Sequence, residues 1–372
     1  YHNPQASLQI ITLSQEDNEV HCQCSSCAAF DQRTGSPAGT MLDFVNRIAR
    51  EVKRAGYHNV AIDTLAYKYT RKAPVGIFPE DNVIVRLCSI ECCFSHPLSD
   101  PNCKENANFM QDLRDWSQIC QRLYVWDYAT NYLTTIGLFP NFGVLQSNMQ
   151  TFYLHNVKGV YVEGNYYMAQ CDTEFGALRE YLISRLMKDP YCDYDSEMKG
   201  FLEAFYGEGG DEIYQFIQTI TEGASKRHLS IYQKQRQTMK LSNKQVKLCD
   251  SLWAKAKAQT SDPKALANIV RSELSWRVWK SANRKSEFKS LIFGGLDARA
   301  KLYDDLLSHD VLIASESIFD FEESRLIHLR EVDIKVRNTD TWGYCAKNRS
   351  NFVDFFLTIY LDVVQWLAEL FA

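Results

Sequence analysis

Glu163 is the carboxylate that the sequence sets apart most clearly. It ends the apolar, β-branched run 159–162 and is followed by Gly164 and, two residues later, by Tyr166. Such a run predicts a short buried strand. A charge at the end of a buried strand is costly unless it is paired or used, and a carboxylate beside aromatic rings is typical of sites that cleave sugars. We therefore expect Glu163 to act as a general acid, with a salt bridge at the rim of the sheet as the alternative.

A second carboxylate is needed for that chemistry. In glycoside hydrolysis one acid protonates the leaving oxygen, and the other carboxylate attacks, activates water or stabilises charge. Burial and a neighbouring carboxylate raise the pKa of the acid. The first apolar run of the chain is followed by residues 14–18, in which Asp17 is the preferred partner and Glu16 the next. An ordinary Asx turn is the alternative explanation of these two acids.

Aromatic and polar residues at the other predicted strand ends could bind sugar. Rings of this kind stack on sugar faces, and core packing explains each ring equally well. Asp127 could hydrogen-bond sugar hydroxyls or cap a loop. Arg86 could form a cationic subsite, although an ion pair inside the sheet explains it better. The predicted substrate-binding residues are Tyr67, Trp126, Asp127, Tyr128, Asn131 and Tyr166.

The chain has twelve cysteines, and three of them form a C-x-C-x-x-C motif at Cys22, Cys24 and Cys27. This spacing suits a metal, but a structural zinc needs four ligands, normally from two close pairs. We favour disulfides or reduced thiols here, and we expect no metal in the site and no cofactor. The residues that could complete a metal set are Cys92, Cys93, His96 and Cys103.

The composition is typical of a globular protein, with 45% hydrophobic and 23% charged residues. A net charge of -5 without a long basic run argues against nucleic acid or an anionic membrane as the partner. No apolar run approaches the roughly 20 residues of a membrane span. The stretch Phe352–Phe371 is apolar but contains charged residues, so we predict a buried helix there and not a membrane span. Because the chain starts at Tyr1 and not at Met, we expect a processed start and an exported protein.

Strand and helix patterns alternate over the first half of the chain. This alternation predicts a parallel sheet with helices outside it. No glycine-rich phosphate loop follows a strand. We therefore predict an α/β fold, the C-terminal five strands of a (β/α)8 TIM-type barrel, with a flavodoxin-like open sheet as the alternative. Closure would need up to three further strands N-terminal to this sequence. The predicted strands are Leu8–Ser14, Asn59–Tyr67, Asn82–Ile90, Leu123–Tyr128 and Gly159–Glu163, and the helices between them are Thr40–Gly56, Asn106–Arg122 and Met149–His155.

Helical spacing dominates after residue 173. We therefore divide the chain into a barrel catalytic segment, residues 1–173, and a mainly α-helical domain, residues 174–372. Within the second part, Val311–Ile318 and Arg330–Val336 are possible strands. The predicted helices are Phe175–Met187, Ser196–Tyr206, Asp211–Glu222, Asn243–Ala258 and Pro263–Asn283.

The order and spacing of several short motifs resemble one bacterial family. These motifs are Ser14–Asn18, Cys22-x-Cys24-x-x-Cys27, Asp43–Ala49, Leu65–Tyr67, Val85-Arg86, Cys92-Cys93-x-x-His96-Pro97, Tyr124–Tyr128, Phe139–Phe142 and Lys158–Val160. Over residues 8–220 the chain resembles the bacterial domain of unknown function 4838, which occurs in proteins similar to glycoside hydrolase family 163.

This resemblance implies a barrel and an endo-β-N-acetylglucosaminidase that cuts complex N-glycans of glycoproteins between the two core N-acetylglucosamines. It also implies an exported protein, at the cell surface or in the periplasm of a Bacteroides-like bacterium. Glu163 fills the acidic position of the family after the last barrel strand, and Asp17 is a weaker match. Two other functions stay open: a barrel that binds glycan without cutting it, and a glycosidase of another specificity, such as one that cleaves uronic acids.

Overall fold

A computed structural model describes residue 3, residues 5–164 and 174–283, and a few positions between 301 and 311. The chain divides into two compact units. The first comprises Tyr1–Tyr128, Gly143–Glu163 and Ile183–Tyr194, and the second comprises Ala129–Phe142, Gly164–Leu182 and Asp195–Ala372. The division predicted at residue 173 stays a prediction. Apart from Val311, the strands suggested at 311–318 and 330–336 and the helix at 352–371 lie outside the described residues.

The first unit is built on a five-stranded parallel sheet, curled as a half-barrel. All five predicted strands are confirmed, and they lie side by side in chain order. A flavodoxin-like sheet reverses its order at the first strand, so that alternative is wrong. The strands are β1 (Gln9–Thr12), β2 (Val60–Ala66), β3 (Val83–Cys88), β4 (Leu123–Tyr128) and β5 (Gly159–Glu163).

Strand register gives the sheet a polar face. Side chains alternate between the two faces along a strand, and partners in register share a face. The pairs Thr12 with Asp63, Cys88 with Trp126, and Tyr128 with Glu163 therefore belong to one face. The opposite face carries fully buried apolar residues, among them Val85, Leu87 and Val125.

Nine helices occur in the described part of the chain, and those predicted from apolar spacing are confirmed within a few residues. Helix α1 was not predicted because only Thr34 of its ten residues is buried, so it has no apolar stripe to recognise. No described helix is long and apolar enough to cross a membrane. The helices are α1 (Ser25–Thr34), α2 (Ala38–Arg54), α3 (Lys104–Ile119), α4 (Leu145–Leu154), α5 (Gly176–Lys188), α6 (Tyr194–Tyr206), α7 (Gly210–Ala224), α8 (Asn243–Gln259) and α9 (Pro263–Ala282).

The second unit has an aromatic core formed by α7, α8 and α9. The ring of Phe216 lies 4.9 Å from that of Trp253 and 5.4 Å from that of Trp276, both in edge-to-face geometry. Such pairs add to the stabilisation from burial. Helix α8 begins with a capping box between Ser242 and Gln245, as its sequence indicates.

The close approach of β4 and β5 depends on Gly159. A Cβ at this position would lie 2.6 Å from Cε2 of the Tyr124 ring, its partner in register. We predict that Gly159→Ala destabilises the protein by about 1–3 kcal/mol, because the ring must leave its place. Urea denaturation measures this change. The matched control is Gly200→Ala in α6, where an added Cβ meets nothing within 4 Å and should stabilise by about 0.5–1 kcal/mol. Equal effects of the two substitutions would contradict the prediction.

Candidate functional site

The polar face holds a row of contacts with one side chain from each strand. Thr12 Oγ1 donates to Asp63 Oδ2 at 3.2 Å, and Arg86 Nη2 lies 3.0 Å from the same oxygen. The Arg86 guanidinium stands 5.5 Å from the ring centre of Trp126. Trp126 Nε1 in turn donates to Glu163 Oε2 at 2.8 Å. We call these five residues the cross-strand row; it ends at the carboxylate that the sequence selects first.

Glu163 is oriented by an aromatic neighbour. Its half-buried carboxylate accepts the indole hydrogen of Trp126, whose ring meets Tyr161 edge to face at 4.7 Å. Trp126 therefore positions the carboxylate of Glu163, in addition to providing the aromatic ring that the sequence analysis considered for stacking on a sugar. In a parallel α/β barrel the carboxyl ends of the strands carry the active site, and Glu163 is the last residue of β5.

Tyr128 lies close to this carboxylate. Burial raises the pKa of the Tyr128 phenol, and the nearby Cys88, Glu163 and Tyr67 raise it further. Tyr128 is paired in register with Glu163 and its ring meets Phe94 edge to face at 6.5 Å. A neutral phenol thus stands beside the predicted acid.

Asp17 is held at the same rim by a cation and a phenol. Its Oδ1 accepts from Lys68 Nζ at 2.8 Å and from Tyr67 Oη at 2.9 Å. The bond from Lys68, followed by that from Tyr67, lowers the pKa of Asp17. Asp17 is therefore an anion at neutral pH, while Glu16 is exposed beside it.

The loop that carries Asp17 is fixed to the turn after β2. Gln15 Nε2 donates to the Tyr67 carbonyl at 3.0 Å, and its Oε1 accepts from the Thr70 hydroxyl. Asn18 Oδ1 accepts from the Val20 amide at 2.7 Å, so an Asx turn is present next to the acids.

The other predicted substrate-binding residues are Asp127, Asn131 and Tyr166. Asp127 lies on the opposite face from Trp126, because adjacent strand residues alternate; its Oδ1 accepts from Ser89 Oγ at 2.6 Å. Asn131 belongs to the second unit, where its buried amide donates to the Gln233 carbonyl at 2.7 Å. Tyr166 lies outside the described residues.

Asp127 should make stability depend on pH. Burial raises its pKa to about 6, against the lowering effect of the hydrogen bond from Ser89. A carboxyl with a raised folded pKa contributes stability at low pH that is lost as pH rises through that value. Asp127→Asn should therefore be more stable than the wild type above pH 6, by up to about 3 kcal/mol, and the difference should vanish near pH 4. Urea unfolding between pH 4 and 8 measures this, with Asp115→Asn as the surface control; a constant difference across the range would refute it.

Asp63 was missed from the sequence, and Arg86 was only partly understood. Asp63 is fully buried in the middle of β2, and burial raises its pKa against the lowering effect of Arg86. The ion pair explains Arg86 better than a cationic subsite does. Within the described part of the chain, Asp63 Oδ1 and Arg86 Nε have no hydrogen-bond partner. An acid inside the run VAIDTLA is the one sequence signal that could have identified this pair.

Five cysteines of the first unit belong to two separate groups. The donor atoms of Cys22, Cys24 and Cys27 lie within 4.8 Å of one another, and so do donor atoms of the segment 93–103. For the first group the sequence left disulfides and reduced thiols open; in the structure these three cysteines, like all ten described ones, are thiols. Hydrogen bonds, the strongest from the Cys27 amide, lower the pKa of Cys24 to about 7.

The chain matches a known protein family. The family model described as Domain of unknown function (DUF4838) matches residues 2–218. No curated protein matches the chain.

Proposed function

The chain belongs to the family of the domain of unknown function DUF4838, and on that premise we propose that it is a glycoside hydrolase. We infer an endo-β-N-acetylglucosaminidase that acts on complex N-glycans of glycoproteins, in line with the resemblance to glycoside hydrolase family 163. The observation that carries the proposal is the 2.8 Å bond by which Trp126 holds Glu163 at the end of β5. The strand order supports a complete (β/α)8 barrel as the scaffold.

Glu163 is the proposed general acid. A general acid must reach the leaving oxygen within hydrogen-bond distance and in a fixed orientation. The indole of Trp126 donates to Oε2 and so fixes the orientation of the carboxyl group. The rings of Trp126 and Tyr161 provide flat apolar surface of the kind on which a sugar face stacks.

Asp17 is the proposed second carboxylate. Its anionic form suits a group that stabilises positive charge rather than one that donates a proton. An N-acetylglucosamine substrate brings its own nucleophile, the acetamido oxygen, and Asp17 would then orient the acetamido group. Lys68 and Tyr67 keep the carboxylate in place for that task.

Glycan binding without cleavage is the second candidate function. The observation that favours it is the ion pair between Asp17 and Lys68, which engages the carboxylate preferred as the partner of Glu163. A uronic-acid-cleaving enzyme receives no such support, because Arg86 is paired with Asp63.

The test is incubation with a glycoprotein that carries complex N-glycans, followed by mass analysis of the released sugars and of the protein. The proposal expects free glycans that lack one core N-acetylglucosamine, with that sugar left on the protein. Binding of the glycan in calorimetry without any release would support the second candidate. Neither release nor binding would overturn both.

A further inference from the structure

The loop between β3 and α3 brings two thiols and an imidazole together. Cys93 Sγ lies 3.3 Å from His96 Nδ1. The donor atoms of Cys93, His96 and Cys103 all lie within 4.8 Å of one another. Zinc holds sulfur at about 2.3 Å and nitrogen at about 2.0–2.1 Å in a tetrahedron, so neighbouring donors of a bound ion stand roughly 3.5–4 Å apart. The three donors therefore lie close enough together for one zinc ion to contact all of them after small shifts of their side chains.

The loop is shaped by a buried asparagine. Asn106 Oδ1 accepts from the Cys93 amide at 2.8 Å, while its Nδ2 donates to the carbonyls of Cys93 at 3.1 Å and His96 at 3.0 Å. Asn106 is 0% exposed and lies in the first turn of α3. One side chain thus fixes the backbone at two of the three donor residues, as outer partners do around metal ligands.

The surroundings of Cys93, His96 and Cys103 differ from those of cysteines that only pack in an apolar core. Cys93 and Cys103 are buried, at 2% and 1% exposure. Cys120 and Cys249 are buried too, but neither belongs to a group of metal-ligating side chains in the described part of the chain. Burial of a polar imidazole ring beside two thiols costs free energy unless the ring binds a partner. Apolar packing alone therefore does not explain the position of His96.

We propose that Cys93, His96 and Cys103 bind a structural zinc ion. Soft thiolates and imidazole are the donors that zinc prefers. Binding converts both thiols to thiolates and releases their two protons to solvent, and a donor from outside these three residues fills the remaining position. The ion would tie the loop after β3 to the start of α3, independently of the proposed hydrolysis.

The test uses the full chain, purified from cells grown with zinc, and counts metal by mass spectrometry. We expect about one zinc ion per chain, lost from Cys93→Ala, His96→Ala and Cys103→Ala. Cys120→Ala and the triple variant Cys22→Ala/Cys24→Ala/Cys27→Ala should keep it. Loss from the triple variant with retention in the other three would overturn the proposal.

Cobalt substitution of the wild-type protein tests the proposed site even if the variants fail to fold. Wild-type protein stripped with a chelator and refilled with Co²⁺ should show intense visible bands and a thiolate charge-transfer band, typical of a tetrahedral site with sulfur ligands. Absence of zinc in the purified protein together with absence of these bands would refute the site.

Discussion

Replacing Glu163 by glutamine should abolish release of glycan from a complex N-glycoprotein while leaving the protein folded. The amide has the size of the acid, and its oxygen can still accept the indole hydrogen of Trp126. It cannot give a proton to the leaving oxygen, and loss of general acid catalysis costs about 10²- to 10⁴-fold in rate. Released glycan is measured by mass analysis over time, and folding by urea denaturation.

The control for this variant is Glu51→Gln. Glu51 is an exposed acid on α2, paired with Arg54 in the same helix, so its substitution removes a carboxylate without touching the rim. Trp126→Phe is a milder variant, because it keeps an aromatic ring and removes the hydrogen bond to Glu163. Turnover by Glu163→Gln near that of the wild type would remove Glu163 from the mechanism.

Replacing Arg86 by methionine should have the largest effect on stability. Asp63 is fully buried, and Arg86 is the cation paired with it at 3.0 Å. Breaking such a pair leaves an uncompensated charge and costs about 3–5 kcal/mol. Urea denaturation of Arg86→Met measures the loss at neutral pH. The double variant Asp63→Leu/Arg86→Met should recover most of it, because an apolar pair of similar volume replaces both charges.

The loss should also depend on pH. Burial already raises the pKa of Asp63, and Arg86 lowers it, so removing Arg86 raises the pKa further. A raised folded pKa means that stability is lost as pH rises from the unfolded value, about 3.9, through the folded one. The difference between wild type and Arg86→Met should therefore shrink between pH 7.5 and pH 4.5. A double variant as unstable as the single one, or a difference independent of pH, would contradict this account.

Alternation and periodicity explain what the sequence could predict. The five strands followed from β-branched runs, and most helices followed from apolar stripes. Tyr67, Trp126, Tyr128 and Glu163 were found because they stand at strand ends, and the register places the last three on one face. The same alternation argues against grouping Asp127 with Trp126, since neighbours in a strand point to opposite faces.

Other features depend on tertiary contacts that no local pattern reveals. The buried amide of Asn131 is explained by Gln233, about a hundred residues along the chain. Asp63 is explained by Arg86 on the next strand. The backbone at Cys93 and His96 is held by Asn106, which carries no metal-binding signature of its own.

The cross-strand row has a consequence for how the sheet assembles. A slip of one residue between strands moves a whole set of side chains to the other face. A slip of β3 would carry Arg86 away from Asp63 and into the apolar layer, stranding two buried charges at once. A misaligned register therefore costs far more free energy in this sheet than it would in a sheet of apolar residues alone. The cross-strand row therefore favours the strand register that places Glu163 at the rim.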